Sequence, residues 1–318
     1  MDAYHLALSI DLDEWYHSRR WVDGGQKVAV PDMPALFEKL YRQPRPSGDV
    51  VAPTRALLDL LDRHRCRCTF FTLGEMGEWY PDLIREIVAR GHELGCHGMH
   101  HVDMTVLGPD EFRRQLTRAA ETLDSVAGVR PRGYRAPNLV YAPWATRILE
   151  ETGFEFDASV CVSRPIGGKY KGWAGAPLHP YHPGYDNVAV PGDARLMEVP
   201  LPCFPVLRLS AGSGIITRIV GYRWTSIALS STIRTGHTSY YFHPWEVGVR
   251  PRPDGHWLKN RIFLRRTGPW MLRAVDRILT TFADRIVPVG ECVRIARAEL
   301  SAPAFALPTP TDRVPVSN

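Results

Sequence analysis

The sequence predicts an α/β fold built on a largely parallel sheet or barrel. Short apolar strand-like runs alternate with helical segments through the first half of the chain, a pattern that requires crossover connections. Several helical segments open at proline and close at glycine. Four of the strand-like runs end abruptly in ionisable residues, and the carboxyl ends of parallel strands are where β/α active sites sit.

Residues 6–10 read as a short buried strand that stops at Asp11-Leu12-Asp13. Residues 44–54 read as a loop. Residues 54–64 look helical, with Leu57, Leu58 and Leu61 on one face. A second strand covers 68–73 and a helix follows from Pro81 to Gly91. Residues 93–96 are a third strand, ending in His97. A long helix covers 109–127, with Phe112, Leu116, Ala119, Ala120, Leu123 and Val126 as its apolar stripe. Residues 133–135 form a fourth strand, 143–152 a helix and 154–160 a further strand. Strand character returns at 196–201 and 239–243. Residues 269–283 are amphipathic and read as a helix packed on the core rather than on a membrane. The segmentation predicts one domain over residues 1–300, with a loop insertion at 163–194, and a flexible Pro-rich tail over 301–318. The insertion is rich in Gly, Pro, Tyr and His and too long for a plain connection. It reads either as a substrate-covering loop or as a poorly ordered insertion.

Composition bounds the function. The chain has 318 residues, 44% hydrophobic and 23% charged, ordinary for a globular protein with a sizeable core. The net charge of +5 is mild and the arginines are scattered, so no nucleic-acid footprint is expected. The six cysteines (Cys66, Cys68, Cys96, Cys161, Cys203 and Cys292) include no CxxC pair and are expected to be reduced. The N-terminus has no basic leader, and no run approaches the ~18 apolar residues of a membrane span. The expectation is a cytoplasmic protein without a transmembrane segment, with peripheral membrane association left open.

The chemistry lies at the strand ends. His97 and His101 are four positions apart, which on one helical turn or a short loop lets both imidazoles point the same way. Two histidines and a carboxylate form a common catalytic zinc set and also suit other divalent ions. The spacing alone is weak. Asp11 and Asp13 are two apart, so on an extended strand they share a face. A metal taking one and an arginine the other would compensate their charges. Arg135 ahead of Pro137, and His243 between aromatic residues and Pro244, end two further strands. Asp157 lies inside an apolar run and needs a partner if buried. Each alone has a bland reading as a surface, core or turn residue. Their convergence is what points to a site.

Together these residues resemble the polysaccharide deacetylases with a NodB homology domain, carbohydrate esterase family 4. The match runs from about Leu6 to His243, in order: Asp11/Asp13, His97/His101, Arg135-Ala136-Pro137 and His243. The stretches SIDLDEWYH, HGMHH, YRAPN, EVPL and YFHPWE resemble the branch found beside bacterial exopolysaccharide export systems. The resemblance implies a single-domain distorted (β/α) barrel of about seven strands. It implies that Asp13, His97 and His101 hold a divalent metal, zinc first, with cobalt or another ion possible. Asp11 would be the general base, held ionised and oriented by Arg135, and His243 the general acid. Asp157 is the nearest match to the family's histidine-tuning aspartate. The implied reaction is removal of an N-acetyl group from an amino sugar in a glycan, glycolipid or precursor, releasing acetate. A hydrolase of another amide, allantoinase-like, and a non-catalytic sugar-binding relative are the alternatives. Two departures stand out: Asn138 follows R-x-P where the family often has an aromatic residue, and the 163–194 segment is no core family motif.

Overall fold

A seven-residue strand, β1 (Leu6–Leu12), organises the molecule because it is buried along its whole length. The computed structural model describes residues 4–17, 28–164, 173–204, 207–248 and 264–301. After β1 come α1 (Met33–Tyr41), α2 (Val51–Arg63), β2 (Thr69–Thr72), α3 (Gly74–Trp79) and α4 (Pro81–Ala89). Then follow β3 (Glu93–Cys96), α5 (Met104–Ala127), β4 (Gly133–Tyr134), α6 (Ala145–Glu151), β5 (Phe156–Asp157) and β6 (Met197–Glu198). A hairpin of β7 (Cys203–Phe204) and β8 (Leu209–Ser210) precedes α7 (Gly214–Val220) and α8 (Tyr222–Thr232). The chain ends with β9 (Thr238–Phe242), α9 (Pro244–Val247), α10 (Pro269–Phe282), β10 (Ile286–Val287) and α11 (Val289–Ser301).

Seven strands run parallel in the order β9-β1-β2-β3-β4-β5-β6, and β10 pairs with the first two residues of β1. The sheet curls toward closure without a β6–β9 ladder among the described residues. The Ser239 hydroxyl donates to the Pro200 carbonyl at 2.7 Å. Segment 211–213 bridges the gap, with the Ala211 N–H on the Pro202 carbonyl and the Tyr241 N–H on the Gly212 carbonyl. The α/β expectation of a distorted barrel of about seven strands is thus met in one α/β domain.

Side-chain alternation separates two cores. Leu6, Leu8, Ile10 and Leu12 point outward into the large cluster with the helices. Ala7, on the other face, joins Phe71, Phe156, Ala158, Met197 and Val199 inside the barrel, where Val289, Cys292, Val293 and Ala296 of α11 plug the amino end. The parity of Ala7 places Ser9 and Asp11 inside as well, higher up. Interior space is set by glycine. A Cβ on Gly133 would lie 2.1 Å from the Phe156 ring, and one on Gly95 2.6 Å from Phe71. Gly133→Ala is expected to lower stability by roughly 1–3 kcal/mol through overpacking, read as a lower denaturant midpoint.

Some boundaries moved. The long helix starts at Met104, one turn before Pro109, with a kink at Gly108 (φ 72°) that releases the turn Pro109 could not continue. In the insertion, residues 173–194 pack rather than hang free. Tyr181 bridges Glu198 antiparallel, covering the edge of β6, and Ala176, Tyr181, Val188 and Ala194 are buried. Residues 165–172 of that insertion and 302–318 of the expected tail lie outside the described residues. All six cysteines are free thiols. No described helix is long and apolar enough to cross a membrane.

Candidate metal and catalytic site

The interior face of β1 leads directly to the site. Asp11 is 2% exposed at the carboxyl end of β1, and its Oδ1 accepts from Arg135 Nη1 at 2.8 Å. Arg135 follows β4 and is fully buried. Its Nη1 also donates to Ser9 Oγ and its Nε to the Ala158 carbonyl, each at 2.8 Å. The guanidinium lies between the rings of Phe71 (4.4 Å) and Tyr241 (4.9 Å). Arg135 is thereby fixed as a rigid support under one oxygen of Asp11. The other oxygen faces His243 Nε2 at 3.9 Å.

Asp13 and the histidines form a second layer above. One donor atom from each of Asp13, His97 and His101 lies within 4.8 Å of the other two, and all three residues are buried. His97 Nδ1–H donates to the Arg135 carbonyl at 2.8 Å, which leaves Nε2 as a lone-pair donor. Burial drives the His97 pKa down to about 3 and that of His101 well below the usual range, so both imidazoles are neutral. Burial also raises the Asp13 carboxyl to about 6, and its Oδ1 has no hydrogen-bond partner among the described residues. Neutral imidazoles beside an orphaned buried carboxylate oxygen fit a divalent cation and fit little else.

The loop carrying His97 and His101 is not helical. Gly98 (φ 87°) and His101 (φ 52°) take left-handed conformations that bend it back on itself. The amino end of α3 holds it: the Gly74 and Glu75 N–H groups donate to the Gly98 and Met99 carbonyls. Glu75 clamps it further. His100 Nδ1 donates to Glu75 Oε2 at 2.9 Å, and His17 Nε2 lies 3.1 Å from Oε1. The Glu14 N–H occupies His17 Nδ1, which leaves the proton on Nε2, facing Glu75. Burial would raise Glu75, but these imidazole contacts outweigh it and hold the carboxyl below its usual range. His17 stacks on Trp79 and lies over His101 with ring centroids 6.2 Å apart. Glu75→Ala is expected to destabilise the fold by about 2–5 kcal/mol and weaken metal binding about tenfold, read by denaturation and competitive chelator titration.

His243 corrects one expectation. Its ring Nδ1 bonds Glu246 Oε1 at 2.8 Å, and Glu246 Oε2 accepts from the buried Arg218 Nε at 2.5 Å. Burial works against the His243 imidazolium, yet Asp13, Glu246 and Asp11 outweigh it and raise the pKa to about 9. Asp157, expected at this position, is elsewhere. Phe156 and Ala158 take the interior face of β5, so Asp157 points outward, where it accepts from Ser159 N–H and Oγ. It neighbours Glu198, whose carboxyl burial holds well above the usual range. Glu246 had a legible signal: it is the N3 residue of a capping box whose N-cap is His243, with Pro244 between them. Arg218, Glu75 and His17 had none that spacing alone could supply.

Comparison with known proteins agrees with this geometry. Residues 46–156 match the profile of the polysaccharide deacetylases. That stretch of the chain is similar to the polysaccharide deacetylase family. It is 36% identical over 84 residues to a peptidoglycan-N-acetylglucosamine deacetylase of Bacillus cereus, covering 26% of this chain and 30% of that protein. It is also 36% identical over 97 residues to a chitooligosaccharide deacetylase of a Bradyrhizobium species, covering 30% and 43%. The chain thus spans less than half of either relative. In fold it is similar to a crystal structure described as a putative polysaccharide deacetylase from Mycobacterium smegmatis, with TM-score 0.65, 21% identity, and 97% and 96% of the chains covered. It is also similar to Puue allantoinase, with TM-score 0.59, 16% identity, and 93% and 90% covered.

Proposed function

We propose that this chain hydrolyses the N-acetyl group of an amino sugar in a glycan or glycan precursor, releasing acetate and the free amine. The observation that supports this reading best is the position of Asp11. One oxygen is fixed by Arg135 and the other is turned toward His243, directly beside the Asp13, His97 and His101 cluster.

Asp13, His97 and His101 would hold the divalent ion, which when bound supplies Lewis acidity and lowers the pKa of water in the site. Asp11 then takes the proton from the attacking water, with Arg135 holding the carboxylate in place. Attack on the acetamide carbonyl gives a tetrahedral centre. His243, charged at neutral pH, protonates the sugar nitrogen as the carbon–nitrogen bond breaks. Glu246 and Arg218 keep its ring oriented and its proton on Nε2 available to substrate. Zinc as the ion, an exopolysaccharide or its precursor as the substrate, a cytoplasmic location, and a catalytic domain over 1–300 complete the proposal.

The test is acetate release from chitooligosaccharides, N-acetylglucosamine polymers and nucleotide sugars, with metal content measured on the same sample. Allantoin belongs in that panel, because the fold is shared with an allantoinase and does not choose between amides. Turnover of allantoin without acetate release from any sugar would sink the proposal. Chelation is expected to abolish acetate release, and added zinc to restore it. Full activity in metal-stripped protein would remove the metal role.

A further inference from the structure

Basic residues are spread along the chain, but acidic ones are not. Residues 199–275 contain eleven lysines and arginines against two acids, Glu246 and Asp254. Eleven less two is a net +9 in a chain whose total is +5, so the remainder sums to −4. Among the described residues of this stretch, Glu246 is the one acid, and it is buried against Arg218 and His243. The surface here is cationic: Arg223, Arg234, Arg265 and Arg273 are exposed, and Arg208 and Arg266 half-buried.

The same surface is apolar. Of the ten large apolar side chains left exposed among the described residues, four are Leu207, Leu209, Val220 and Ile227, from 42% to 56% exposed. They are linked. Leu209 faces Phe204 across the β7–β8 hairpin, and the Phe204 ring stacks on Trp224 with centroids 5.0 Å apart. Ile227 lies one helical turn after Trp224. Val220 ends α7 next to Gly221, which approaches the Arg266 guanidinium. The hairpin and the start of α7 lie beside the carboxyl ends of the strands. Past β5, the Arg164 N–H donates to the Arg208 carbonyl in the hairpin, and α7 begins at Gly214, against Phe242 and Glu246.

We propose that this face seats the protein on an anionic lipid bilayer, with the carboxyl rim of the barrel turned toward the membrane. Exposed aliphatic side chains on a stretch with exposed arginines, whose next acid in sequence, Asp276, is paired with His64, complement an interface that is negative at the headgroups and apolar beneath. Trp224, half-buried and stacked on Phe204, is of a side-chain type that favours such an interface. A soluble acidic glycan would satisfy the arginines but offer nothing to Leu207, Leu209 and Ile227.

Vesicle co-sedimentation of the full chain tests this. Vesicles of equal parts phosphatidylglycerol and phosphatidylcholine are expected to capture the protein, and vesicles of phosphatidylcholine alone to capture far less. Leu209→Ser with Ile227→Ser should reduce capture on the order of tenfold. Arg223→Ser should reduce it roughly fivefold, and added salt should mimic that change. Thermal melting and acetate release from a soluble chitooligosaccharide should be unchanged in these variants, since none touches the site. Equal capture by both vesicle types overturns the proposal, as does capture insensitive to the serine variants. Failure to bind vesicles while heparin is retained through Arg223 overturns it in favour of an acidic glycan.

Discussion

Asp11→Asn is expected to keep its metal and lose turnover, by between roughly 10²- and 10⁴-fold in kcat. The substitution preserves shape and leaves an amide oxygen to accept from Arg135, so the buried guanidinium keeps Ser9 Oγ and the Ala158 carbonyl as well. What it removes is the ability to take a proton. Asp11 is not one of the three residues whose donor atoms cluster, so metal content should match that of the unaltered protein. Acetate release and metal analysis on one sample separate the outcomes. Retained turnover would remove Asp11 as the base. Lost metal would instead make it a ligand and force the cluster to be redrawn.

The reverse pattern is expected at the ligands. His97→Ala should lose metal and activity together, because His97 Nδ1 already serves the Arg135 carbonyl and only Nε2 faces the cluster. Intact metal content would end that assignment.

The legible parts of this protein were those that local chemistry decides. β3 was readable to the residue because an acid opens it and a histidine closes it. Pro81 set the start of α4 and Gly128, in a left-handed conformation, the end of α5. Six of the expected site residues are brought to one mouth because they follow the carboxyl ends of four parallel strands, β1, β3, β4 and β9, a property of chain direction; His101 needs in addition the bend of the loop after β3. α1 and α7 were missed although Asp32 and Ser213 cap them, whereas other missed elements lack such punctuation. α8 is rich in Ser and Thr, with weak amphipathic character, and was not anticipated. α11 was also missed, since its buried face, Val289, Cys292, Val293 and Ala296, makes sense only as a plug for a barrel already formed. Asp157 failed for a sharper reason. Strand parity places alternate residues on opposite faces, and nothing local tells which face of β5 turns inward until Phe156 is seen filling the space left by Gly133. Similarly, Glu75 joins His17 to His100 across three separate stretches of chain, a contact invisible to spacing.

Glu246→Gln gives the second large effect, on the pH profile. With His243 as the proposed acid, activity should fall as pH rises through its pKa, which stands near 9. Three carboxylates raise that value against burial: Asp13, Glu246 and Asp11. Asp13 would share its charge with the divalent ion it is proposed to hold, which would leave Glu246 a larger part of the support. Neutralising it while keeping the hydrogen bond to Nδ1 should lower the His243 pKa, and the alkaline limb of kcat/KM should move to lower pH. The acid plateau should change less than the limb, because the ring stays in place. Asp157→Asn is the matched control. It lies on the opposite face of β5, bonded to Ser159, so whatever it costs in stability it should leave the alkaline limb where it was. A limb that moves with Asp157 and not with Glu246 would return the tuning role to Asp157. A limb that moves with neither would show that His243 does not supply the proton.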